Sequence, residues 1–163
     1  MNQDFATKVF GYTTWANVQM FNTLLTLTDD QLQLTRPNSE WTVGAIAKHI
    51  VDAESMLIAR LRSESPTRDR NPISSIAEIP ELIEQTKQNG AALLELVTVP
   101  EAELTFGRET KVTFTASTIL AQAAHHASEH RSQIADILAV NGNDVLDLDS
   151  IDVWSYERYL RNS

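Results

Sequence analysis

Apolar residues recur at helical spacing along four long stretches of this chain, and that periodicity constrains the fold more than any other feature. The last stretch runs from about Ala116 to Val140, where Ile119, Ala123, Ala127, Ile134 and Leu138 form one line. Thr115 is placed to cap it and Asn141-Gly142 to stop it. The first stretch runs from about Asp4 to Leu27, with Phe5, Val9, Tyr12, Ala16, Met20 and Leu24 on its inward stripe. Thr42 can cap the second, which continues to about Ser63 and turns Ile46, His49, Ile50, Ala53, Met56, Leu57 and Leu61 inward. The third is expected from near Pro80 to Val97, with Leu82, Ile83, Leu93, Leu94 and Val97 facing the core. Pro80 suits a first turn, whereas Gly90 costs about 1 kcal/mol against Ala and is either a close-packing point or simply tolerated. Four such helices with modest connections bury their stripes most simply as an all-α, antiparallel four-helix bundle.

The connections read differently. Thr28 to Glu40 is polar, carries Pro37 and Asn38, and has room for one short turn. Ser65 to Ser75 contains Pro66 and Pro72 and reads as a loop. Before the fourth helix, Leu104, Phe106, Val112 and Phe114 flank a polar segment from Gly107 to Lys111, with Thr at 105, 110, 113 and 115. That pattern predicts a short β-hairpin or extended ribbon. Ser150 to Leu160, with Ile151, Trp154, Tyr156 and Tyr159, predicts a short closing helix. With 163 residues, residues 1–163 are expected to form one domain with a substantial core.

Composition narrows the function. A net charge of −9 argues against affinity for nucleic acid or an anionic membrane, because both need clustered Lys and Arg. Arg60, Arg62, Arg68 and Arg70 gather near one loop, but acidic residues are interspersed. No apolar run approaches a membrane span, and the start lacks the layout of a signal peptide, so a cytoplasmic protein is expected. There is no cysteine, which excludes disulfides, thiolate ligands and a thiol nucleophile carried by the chain.

The chemistry resides in the histidines. His126 and His130 form an H-x3-H pair in the fourth helix, one turn apart and projecting from the same side. His49, on the inward stripe of the second helix, is the obvious third donor. Buried imidazoles need partners for their ring nitrogens, and one metal satisfies several at once. An isolated histidine on an apolar face is more often a satisfied core residue, so the argument rests on the three together. Three neutral imidazoles with open positions suit Zn, Ni, Fe(II), Co or Mn. Asp52, Gln122 and Gln133 are candidates to support the ligands, with Glu54 a further acid near His49. His125 and Arg131 point away from the pair, the first toward the surface or the ligands' surroundings and the second in a structural role.

Four blocks then show a resemblance. Tyr12-Thr13-Thr14-Trp15-Ala16-Asn17, the stretch from Trp41 to Ile50, the block from His126 to Ile134, and Leu148 to Tyr156 together resemble the DinB/YfiT-like family of metalloenzymes. Ser132 stands where that family usually has Gly. The resemblance implies an up-down-down-up bundle, a metal on His49, His126 and His130, and frequently a homodimer. It also implies a bacterial enzyme acting on small molecules. The leading expectation is a metal-dependent transferase that joins a low-molecular-weight thiol to an electrophile. The alternatives are a hydrolase that uses a metal-bound water, with Asp52 as a possible base, and a non-enzymatic metal-binding or stress-response protein.

Overall fold

The computed structural model describes residues 3–66, 71–107 and 110–163. Arg68 and Arg70 of the basic group, and residues 108 and 109 of the polar segment, lie outside the described residues. Among the described residues six α-helices follow in order: α1 Gln3–Leu24, α2 Asp29–Leu32, α3 Val43–Leu61, α4 Ile79–Leu96, α5 Ala116–Val140 and α6 Val153–Asn162. The ribbon before α5 is an antiparallel pair, β1 Glu103–Phe106 with β2 Val112–Thr115, in which Leu104 faces Phe114 and Phe106 faces Val112.

The helix ends follow the capping chemistry. Thr42 Oγ1 accepts from the Ala45 amide at 3.0 Å to open α3, and Thr115 Oγ1 accepts from the Thr118 amide at 3.3 Å to open α5. Each such cap is worth about 1 kcal/mol. Thr28 and Gln31 form a reciprocal capping box that makes α2 the one short turn of the polar connection. Beyond α5, Gly142 takes a left-handed φ of 78°, which ends the helix.

The four long helices form an up-down-down-up bundle. One end of the core joins Met20, Phe21 and Leu24 of α1, Ile46 and Ile50 of α3, Ile79 and Leu82 of α4, and Ile134, Ile137 and Leu138 of α5. The other end joins Phe10 of α1, Leu57 and Ile58 of α3, Leu93 and Leu96 of α4, and Ile119, Leu120 and Ala123 of α5. Thus α1 and α5 run one way, and α3 and α4 run the other. At the α1–α4 contact, a Cβ on Gly90 would lie 2.1 Å from Thr14 Oγ1, so this glycine is a close-packing point. The closing helix α6 packs on α1 through Tyr156, which contacts Tyr12 and Trp15 and lies over Gly11.

One stripe differs from the sequence expectation. Phe5 is 63% exposed, and Val9 and Tyr12 are only half-buried. Ala16, Met20 and Leu24 of the expected stripe are buried, and the inward face of α1 adds Ala6, Phe10, Thr13, Asn17 and Phe21. Two of the added residues are polar, and Asn17 joins a buried polar layer that crosses the bundle, so polar contacts as well as apolar area set the rotation of α1.

Candidate metal centre

The up-down-down-up arrangement packs α3 antiparallel to α5, and this brings the three histidines together. His126 Nε2 lies 3.0 Å from His49 Nε2 and 3.0 Å from His130 Nε2. All three donor atoms fall within 4.8 Å of one another. His130 is 8% exposed, and His49 and His126 are half-buried.

The donor set fits a metal ion. A ring nitrogen presents one proton or one lone pair in the ring plane, so His126 Nε2 cannot satisfy both of its 3.0 Å contacts at once. A cation receiving three lone pairs removes that conflict. Ligands about 2.0–2.1 Å from a tetrahedral ion sit about 3.3 Å apart, so the two 3.0 Å pairs would open slightly and the His49–His130 pair would close on the ion. His130 Nδ1 lies 2.7 Å from Gln133 Oε1. Donation by Nδ1–H to that oxygen leaves Nε2 with its lone pair aimed at the cluster, which is the usual support for a ligating histidine. Burial, followed by the neighbouring His130 and His49, pushes His126 down to about 4, so it is neutral near pH 7. The three histidines can therefore hold a divalent transition ion with positions left over.

The remaining candidates are placed unevenly. Asp52 forms an ion pair with Lys48, Nζ to Oδ1 at 2.5 Å, one turn along α3. Gln122 is exposed near the start of α5, and His125 is also exposed. Glu54 is not solvated and is not one of the clustered donors: it is 3% exposed and accepts from Asn17 Nδ2 at 2.9 Å. Arg131 is likewise buried, donating from Nη1 to Asn17 Oδ1 at 2.6 Å and from Nη2 to the Tyr12 hydroxyl at 3.4 Å. Asn89 of α4 completes this layer, donating to the Val51 carbonyl at 3.1 Å. All four long helices thus meet in one polar layer, and Arg131 follows His130 directly. Burial raises the Glu54 carboxyl to about 7, although Asn89, the Arg131 charge and Asn17 pull it back.

A family model described as the DinB superfamily matches residues 12–134. The chain belongs to the DinB superfamily. The match contains the aromatic opening at Tyr12, all of α3, and α5 through both histidines of its pair; the closing helix lies beyond it. Among curated proteins, none matches the chain.

Sequence reasoning placed Trp41 only within a motif. In the structure its ring stacks on His130, 6.0 Å between centroids and 6° from parallel, and meets His49 edge-on at 4.9 Å. It is 46% exposed, so this DinB protein carries an open aromatic surface against its histidine cluster. A recess of about 400 Å³ begins there, lined by Trp41, Ile46, His130, Gln133, Ile137 and Arg36. Its size is at the lower end for small-molecule sites. Position alone was the available signal, since Trp41 directly precedes the residue that caps α3.

Proposed function

We propose that this DinB protein is a metal-dependent transferase that joins a low-molecular-weight thiol to a small electrophile. His49, His126 and His130 would hold the ion, and Gln133 would fix the His130 tautomer. The observation that carries the reading is the all-histidine cluster opening onto the Trp41 recess. A divalent metal bound there would favour the thiolate form of an incoming thiol. The chain itself has no cysteine, so the sulfur nucleophile must arrive with a cosubstrate. Trp41, Ile46 and Ile137 supply an apolar wall that would exclude water from one side of the reacting pair. In the transfer, sulfur forms a bond to the electrophilic carbon as the leaving group departs with the bonding electrons; the thiol proton passes to solvent.

A hydrolase would need a base beside the site, and the candidate Asp52 is engaged by Lys48. This favours thiol transfer over hydrolysis. The same proposal takes residues 1–163 as one domain, acting as a homodimer in a bacterial cytoplasm. The test is conjugation of 2-mercaptoethanol or cysteine to 1-chloro-2,4-dinitrobenzene by protein loaded with Zn, Ni, Mn or Fe(II). Chloride release and dinitrophenyl thioether should rise above the metal-only control and fall to it in His126→Ala. Rates equal to that control with every metal and thiol would overturn the transferase reading.

A further inference from the structure

The recess beside the triad has a charged end. Arg36 lines it and lies beside Asp136, Nε to Oδ2 at 3.0 Å, with both side chains about half exposed. That contact engages one edge of the guanidinium. The Arg36 side chain borders the recess, and a guanidinium there is a fork of donors that suits a carboxylate. A second hollow of about 600 Å³ also has Arg36, Pro37 and Ser39 in its lining and is bordered by Glu40. The inner part carries no acidic residue among its lining.

Distance along α5 sets the length of the occupant. His130 and Asp136 are six residues apart, which is about 9 Å along a helix axis. A group seated at Arg36 beside Asp136 would therefore be displaced roughly that far along α5 from the histidine cluster. Trp41, Ile46 and Ile137 line the recess with apolar surface.

We infer that the recess selects a small carboxylate-bearing substrate: its apolar body lies on Trp41, and its carboxylate is held by Arg36, displaced about 9 Å along α5 from the triad. This deepens the transferase reading and rests on it for the reacting end. The anion site itself is independent of the metal. Asp136 competes for Arg36 and so tempers affinity, while Glu40 marks the outer limit beyond which a second negative charge is disfavoured.

The test uses 5-phenylpentanoate and its uncharged match 5-phenylpentan-1-ol, titrated into the full chain with and without zinc. Binding is read from the Trp41 indole NMR resonance, assigned with Trp41→Phe. The acid should bind at least five-fold more tightly than the alcohol. Arg36→Ala should bring the ratio to within two-fold while leaving alcohol binding unchanged, and Asp136→Asn should widen it. Equal binding of acid and alcohol by the unmodified chain, or no response to either up to 20 mM, would overturn the inference. Zinc content is measured on the same samples, so loss of the metal reading and loss of the Arg36 reading are seen separately.

Discussion

Glu54 offers the sharpest test of how the polar layer is balanced. Its carboxyl sits at about 7 rather than 4.5 because burial penalises the charged form. A carboxyl whose folded value is raised contributes stability that is fully present below pH 4.5 and lost as pH rises through 7. A shift of that size corresponds to about 3 kcal/mol, accumulated mainly between pH 5 and 7. Glu54→Gln keeps an oxygen to accept from Asn17 Nδ2 and removes the titration. Urea unfolding should therefore show the two proteins close at pH 5 and the variant more stable at pH 8, by as much as about 3 kcal/mol. Comparing the two at each pH cancels the histidines and surface carboxylates. If the variant is less stable at pH 8, the ionised Glu54 is gaining more from the Arg131 charge than it loses by burial, and the reasoning fails. Parallel pH curves would refute it equally.

Two further substitutions probe packing and ligand support. Gly90→Ala should destabilise the fold by about 1–3 kcal/mol despite alanine's higher helix propensity, because Thr14 atoms lie 2.1–2.9 Å from the new Cβ; a rise in the urea midpoint would show that α1 yields at this contact. Gln133→Ala should weaken zinc binding about 10- to 100-fold by calorimetry, as expected when a histidine ligand loses its hydrogen-bond partner. Unchanged affinity would mean that the His130 orientation is set by Trp41 stacking and packing alone.

Helix positions, both threonine caps and the ribbon were legible in the sequence because periodicity and capping are local properties. The triad was legible for a similar reason: His126 and His130 share a face at any orientation of α5, and His49 lies on the inward stripe of α3. The rotation of α1 was not legible, since hydropathy reads Thr13 and Asn17 as surface residues while the fold buries both, Asn17 meeting Glu54 and Arg131 and Thr13 bonding back to the Val9 carbonyl. Glu54 was singled out only as an acid near His49, and its burial in the polar layer was not legible because its partners come from other helices. Gln122 and Gln133 looked equivalent along α5, but only Gln133 reaches a histidine ring nitrogen. Arg36 gave no sequence signal, because its place beside the recess depends on how the polar connection folds over the end of α5.

Elemental analysis of untagged protein, purified without chelator alongside His49→Ala, tests the metal centre most directly. The account predicts about one transition-metal ion per chain, lost in the variant, as expected for a three-ligand site. Protein that is metal-free and also refuses Zn, Ni, Mn and Fe(II) on titration would contradict it, leaving the three histidines a structural cluster in the core.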